Sequence, residues 1–286
     1  MNATNVLRYF LKMTFGHSLR VSCLSIGLLL TACAGDSATD QLEQVERPVD
    51  ELYNEALDTA LDGNTDKAAP LFEEVERQHP YSSWAVRAQL LAAWSFYDAN
   101  NYKRAVSSLD RFIELYPAHP FTEYAYYLRA LSFYEQIVDV ERDAEMTFQA
   151  LQAFEDLSRR FPEGAYVRDA QLKIDLARSH LAGKEMAVGR FYLRKGHFGA
   201  AISRFETVID NYDTTNQVPE ALYRMAEAYL SLGLKDEADR TGAVAVYNYP
   251  ESIWTERLLT LVEDPARPGP RGILETLADS TLTIFN

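Results

Sequence analysis

The stretch AVGRFYLRKGHFGAAISRFETVIDNYD, residues 187–213, decides the fold. It reads as two amphipathic helices folded back on each other. Small residues stand at Gly189 and Ala201, where the paired helices must cross closely, and Gly196 separates the two helical halves. Tyr192, Phe198 and Phe205 stand where the helices interlock. A helix pair of this size cannot bury its apolar face alone, so it calls for neighbours of the same kind.

Those neighbours are present at a period near 37. Pro80 and Pro117 are 37 residues apart, as are Ala68 and Ala105, Tyr192 and Tyr229, Gly196 and Gly233, and Ala201 and Ala238. The pattern resembles the tetratricopeptide repeat. Five units follow. The first, near Val49–Ser82, carries Ala56, Gly63, Ala68, Phe72 and Pro80. The second, near Val86–His119, carries Ala93, Phe96, Tyr102, Ala105 and Pro117. The third, near Glu123–Gly164, carries Ala130, Phe133, Ala150, Phe154 and Pro162. The fourth spans about Ala182–Asn216, and the fifth, near Pro219–Ser252, carries Ala226, Tyr229, Gly233, Ala238 and Pro250. The expected fold is all-α: a right-handed superhelical solenoid of five tetratricopeptide-like helix pairs.

Two spacings depart from the period. Ala105 to Ala150 is 45, eight more than 37, and the excess falls in the acidic stretch VDVERDAEMT. Ala150 to Ala201 is 51, fourteen more than 37. Fourteen residues make close to four helical turns, about 21 Å at 1.5 Å per residue. They predict an extra helical stretch over residues 165–183, dividing repeats one to three (49–164) from repeats four and five (184–263).

The N-terminus reads as an address. Arg8, Lys12 and Arg20 precede the apolar run Val21–Leu30, and the small residues Thr31 and Ala32 lead to Cys33. This is the order of a secretory signal. The run is too short for the roughly 20 residues of a spanning helix. Leu30-Thr31-Ala32-Cys33 resembles a bacterial lipobox, which implies cleavage after residue 32 and acylation of Cys33. Ala34, not Asp, follows the cysteine, and by the enterobacterial sorting rule that favours the outer membrane. Residues 33–48 are then the lipidated cysteine and a polar tether. Residues 264–286 begin Pro- and Gly-rich (DPARPGPRG) and turn apolar in ILETLADSTLTIF. They read as a flexible strap ending in a short amphipathic segment, either a fraying end or a docking peptide for the chain's own groove or a partner's.

The formal charge is −14, and removing residues 1–32, which carry three basic residues and no acid, takes it to −17. So acidic a chain is a poor match for nucleic acid, whose binding rests on clustered Lys and Arg. The two cysteines, Cys23 and Cys33, leave the body without a thiolate metal site. There is no GxxxxGK[ST], no GxGxxG after a strand and no GxSxG elbow. The five histidines lack a second His three or four residues away, so zinc spacing is missing. The expectation is a protein that is not an enzyme and takes no cofactor or metal.

In such a solenoid the first helix of each unit lines the concave face. Tyr53, Trp94, Tyr97, Tyr124, Tyr127 and Tyr134 fall there. Tyr and Trp pair an apolar body with a hydrogen-bonding tip, which suits a peptide groove; padding of the solenoid interior is the other reading. The C-terminal units carry Arg190, Arg194 and Arg204 on a mixed, charged surface, suited to docking a folded partner.

A lipobox, a short tether and five such units with a stretched middle together resemble the BamD (ComL) family, lipoprotein subunits of the outer-membrane β-barrel assembly machine. The resemblance is carried by ELYNEALDTALDGNTDKAAPLFEEVERQHPYS, AVSSLDRFIELYPAHP, EYAYYLRAL and the fourth unit. It implies a place on the periplasmic face of the outer membrane. It implies N-terminal units that receive the C-terminal signal of unfolded outer-membrane proteins. It implies C-terminal units that hold the barrel-forming, BamA-like subunit, with accessory assembly lipoproteins alongside. Arg204 stands where the family has an arginine that contacts an acid of the barrel subunit. The competing assignment is a periplasmic repeat protein of Tol–Pal and cell-division coordination. Those proteins usually begin with a coiled coil and lack a lipobox, and no heptad run precedes Val49.

Overall fold

The structure, a computed structural model, describes residues 46–137 and 144–263. The signal segment, Cys33, most of the tether, the core of the acidic insert and the strap after residue 263 lie outside the described residues. Among the described residues there are eleven helices and no strand: α1 (Val49–Leu61), α2 (Thr65–Gln78), α3 (Ser83–Asp98), α4 (Tyr102–Leu115), α5 (Thr122–Tyr134), α6 (Glu145–Arg160), α7 (Val167–Arg194), α8 (Phe198–Asn211), α9 (Val218–Ser231), α10 (Lys235–Asn248) and α11 (Ile253–Glu263). Each packs on the next, and first helices of successive pairs touch, α1 with α3, α3 with α5 and α7 with α9. This is a helical-repeat solenoid.

Two kinds of turn set the alternation. Between the helices of units one, four and five, Gly63, Gly196 and Gly233 adopt φ of 81°, 74° and 77°. Asn100 takes the same role in unit two at φ 58°. The residue after each turns its N–H back to a carbonyl five residues earlier, as Asn64 does to Thr59 and His197 to Tyr192. That closure satisfies the last carbonyls of the first helix. Between units, Tyr116, Phe161, Tyr212 and Tyr249 end the second helices with their N–H groups on Phe112, Leu157, Val208 and Ala245. Thr122 and Thr255 donate their hydroxyls to the carbonyls of Tyr116 and Tyr249, fixing where the next helix begins.

The core repeats with the sequence. The second helices of units one to four each bury a triad: Ala68, Phe72 and Val75, then Ala105, Leu109 and Phe112, then Ala150, Phe154 and Leu157, then Ala201, Phe205 and Val208; in unit five the same places hold Ala238, Gly242 and Ala245. Fully burying one such large side chain contributes about 1.5–3 kcal/mol. Ala56, Ala93, Ala130, Gly189 and Ala226 face these triads from the first helices and are buried. At Gly189 the approach is closest: a Cβ there would lie 2.5 Å from Cε1 of Phe205.

The extra stretch is not a separate element. Residues 167–194 are one helix of 28 residues, about 42 Å long. Ala170, Ile174, Ala177 and Leu181 pack with Phe154 and Leu157 of unit three. Ala182 and Met186 pack with Phe205 and Leu222 of units four and five. The boundary expected at residue 183 is therefore a glycine inside a continuous helix. A mid-helix Gly costs about 1 kcal/mol relative to Ala, and the burial on both sides of Gly183 outweighs that. Beyond unit five, α11 packs on both α9 and α10.

Candidate functional site

Two surfaces answer to the sequence expectation. The first runs along the first helices of units two to four. Tyr97 (α3) donates its phenolic O–H to Oε1 of Glu135 at 3.4 Å and lies 5.8 Å from the ring of Tyr102. Tyr127 (α5) stacks on Tyr166, just before α7, with centroids 4.6 Å apart and planes 20° apart. Its O–H donates to Oδ2 of Asp169 at 2.6 Å, and Nζ of Lys173 sits 2.9 Å from the same oxygen. Lys173 also lies 5.6 Å from the ring centre of Tyr134. Tyr97, Tyr127 and Tyr134 are each partly exposed.

The electrostatics follow the geometry. Burial pushes the Tyr127 phenol well above the usual range, and its hydrogen bond to Asp169 pushes the same way. The Tyr97 phenol is also raised, by burial first and then by Glu135. Burial opposes ionisation of Asp169, but the bonds from Tyr127 and Lys173 outweigh it and hold its carboxyl below the usual range. These tyrosines stay neutral donors near neutral pH, and Asp169 stays charged.

The other three aromatic residues do not offer their rings. Tyr53, Trp94 and Tyr124 are 6%, 7% and 7% exposed. Tyr53 packs 4.7 Å from Trp84 and 5.9 Å from Phe72, and Tyr124 packs 5.7 Å from Tyr166. Neighbouring rings cover Tyr53 and Tyr124, and Trp94 is buried as well, so these three rings do not line an open groove. Sequence reasoning misses Tyr166, Asp169 and Lys173. They lie in the stretch that reads as an insert between units, so periodicity assigns them no face; their i, i+3 and i+7 spacing is the available signal.

The second surface is on units four and five. Arg190 and Arg194 line a shallow groove of about 490 Å³ along α7 with Lys184 and Phe191. Arg190 reaches Glu220 of α9 at 3.3 Å. Glu220 also faces Arg224 at 3.5 Å, and Arg224 holds Glu227 at 3.1 Å. Arg204 is not part of that groove's lining. Its Nη1 lies 3.0 Å from Oε2 of Glu185, tying α8 to α7, while its side chain stays 45% exposed. Among the described residues no cluster of His, Cys, Asp and Glu has metal-binding geometry, and no helix is long and apolar enough to cross a membrane.

The fold and these surfaces define a helical-repeat scaffold, a class held together by stacked helix pairs. Residues 45–244 match the YfiO family, described as "Outer membrane lipoprotein". A protein of Caulobacter vibrioides named "Outer membrane protein assembly factor BamD" is 45% identical over 247 residues, covering 86% of this chain and 81% of that protein. The protein of the same name from Rickettsia prowazekii is 44% identical, covering 84% and 95%. That from Neisseria meningitidis serogroup A is 34% identical, covering 80% and 90%. The chain belongs to the BamD (YfiO) family.

Proposed function

We propose that this chain is an assembly factor for outer-membrane β-barrel proteins, a non-catalytic scaffold held at the periplasmic face of the outer membrane by a lipid on Cys33. The names carried by its BamD relatives support the assembly role. The observation that carries the mechanism is the row formed by Tyr97 and Tyr127 on first helices and Tyr166 at the start of α7. The rings suit an extended client segment that ends in an aromatic residue, because each supplies apolar area, and the phenol oxygens of Tyr97 and Tyr127, their hydrogens given to Glu135 and Asp169, remain acceptors for a client N–H. The side chains of Asp169 and Lys173 beside the row fix its register. Units four and five then dock the periplasmic domain of the barrel-forming, BamA-like subunit through the exposed charges of α7 and α8, with accessory lipoproteins around them. The anchor confines the scaffold to the membrane plane and raises the effective concentration of client and partner for each other. No nucleotide or metal enters this scheme.

The test is an affinity pull-down of the tagged full-length protein from detergent-solubilised membranes, with mass spectrometry and a Cys33→Ala control. Recovery of an outer-membrane barrel protein with periplasmic repeat domains, in near-equal amount, is the expected result. Recovery of Tol–Pal and division proteins in its place overturns the proposal.

A further inference from the structure

A pocket of about 360 Å³ lies between α2, α3 and α4. Its floor is Gln89 and Ala92 of α3. Its walls are Glu73, Glu76 and Arg77 of α2, Pro80 in the turn after it, and Ser108 and Arg111 of α4. Gln89 is 4% exposed. Neither Nε2 nor Oε1 of its amide has a hydrogen-bond partner among the described residues. Buried polar groups are ordinarily paired, because a donor or acceptor taken from water without a replacement is costly. The Gln89 amide therefore offers both a donor and an acceptor to whatever enters the pocket.

The other units fill this place from within. In units one and five the residue in the register of Gln89 is Leu52 or Leu222, each 2% exposed. In unit four it is Glu185, held by Arg204. In unit three it is Tyr126, and Arg129 stands in the register of Ala92. The Arg129 guanidinium lies 5.0 Å from the ring centre of Tyr126. It also reaches Asp110 of α4 at 3.0 Å and Asp156 of α6 at 3.9 Å, bridging the two second helices. Unit two has the shorter Gln89 and Ala92 at these positions, and the space stays open.

The lining selects a neutral ligand. Glu73 is held by Arg104 at 2.8 Å, Glu76 is paired with Arg111, and Arg77 is paired with Glu74. The wall charges are thus matched within the protein, and recognition falls to the Gln89 amide. A residue of an extended chain presents its own N–H and C=O on the same side, as paired residues of antiparallel strands do. One such residue serves both Gln89 atoms: Nε2–H donates to its carbonyl, and its N–H donates to Oε1. The volume lies in the range of ligand pockets, roughly 300–1,000 Å³.

We propose that the α2–α3–α4 pocket binds an extended segment of a partner polypeptide through its main chain, with Gln89 paired to the N–H and the C=O of one residue. The contact reads backbone and not side chains. None of the residues of the aromatic row lines this pocket, so the inference stands or falls separately from the assembly reading.

The test is NMR on the full-length protein, with glutamine side-chain amides labelled, titrated with acetyl-tetraalanine-dimethylamide. Loss of a signal in Gln89→Leu assigns Gln89. The expected result is a saturable shift of that signal with a Kd of about 1 mM or tighter. The same peptide N-methylated at every alanine has no N–H and should give no shift. Gln89→Leu copies Leu52 and Leu222 and removes the unpaired amide, so it should raise the melting temperature and abolish the peptide-induced shift at the Ser108 backbone amide. Ala92→Arg puts opposite Glu73 the side chain that Arg129 sets opposite Asp110, and should weaken binding at least about tenfold. Four outcomes overturn the proposal: no saturable shift at Gln89, an equal shift with the N-methylated peptide, an equal shift with acetamide at the same concentration, which marks a site for a small amide, or unaltered binding in both variants.

Discussion

Tyr127 on α5 and Asp169 on α7 are joined by a hydrogen bond of 2.6 Å across 42 residues of sequence. The bond closes the seam between unit three and the long helix, at the middle of the aromatic row. It gives a test that separates the hydroxyl from the ring. Tyr127→Phe keeps the stack on Tyr166 and removes the donor, and it should lower stability by about 0.5–1.5 kcal/mol in urea unfolding. The Asp169 carboxyl is held below its usual value of 3.8. A depressed carboxyl contributes stability above its unfolded pKa and loses it as pH falls through the folded one. The gap between the two proteins should therefore be full at neutral pH and shrink below about pH 4.

The division between exposed and buried aromatics predicts opposite phenotypes for residues of one type. Trp94→Ala removes a buried side chain and should destabilise the fold by about 3–5 kcal/mol. Tyr134→Ala, at a partly exposed ring, should weaken a fluorescent peptide ending in the C-terminal signal of a barrel protein by about fivefold or more. Its melting temperature should change far less than that of Trp94→Ala. Anisotropy titration and thermal melts read the two effects separately.

The two interior glycines of α7 should respond in opposite directions. Gly189→Ala would set its Cβ 2.5 Å from the ring of Phe205, and overpacking of this kind costs about 1–3 kcal/mol. Gly183 faces open space, with no neighbouring heavy atom within 4 Å of where a Cβ would stand. Gly183→Ala should therefore stabilise by about 0.5–1 kcal/mol through helix propensity. Calorimetric melts of both variants check the pair.

Arg204 is held by Glu185 within the chain, so its loss has two readouts. An exposed ion pair contributes about 0.2–1 kcal/mol, and Arg204→Glu should destabilise by no more than about that. If Arg204 also docks the barrel-forming subunit, Arg204→Glu should cut co-purification of that partner about tenfold. The charge swap Glu185→Arg with Arg204→Glu should restore the internal pair and leave the partner lost. Recovery of partner binding in the swap would show that the pair serves only to hold α7 to α8.

The sequence by itself determined the repeat. Small residues at the helix crossings, an aromatic or leucine four residues into each buried triad and turn residues such as Gly63, Gly196 and Gly233 are local requirements, each written in one short segment. Hence helix pairs, period and family were legible from residue types alone. Tertiary structure alone decided which aromatic rings stay at the surface. Tyr124 and Tyr127 lie three residues apart on one helix, yet the first is buried and the second is partly exposed. Both rings meet Tyr166, about forty residues along the chain, so residue type and spacing on the helix do not tell them apart. Tertiary structure also made fourteen additional residues an extension of α7, because Ile174 and Met186 each found a separate core to enter. Periodicity records what a helix needs from its nearest neighbours; exposure depends on every surface that packs against it, and those surfaces come from distant sequence.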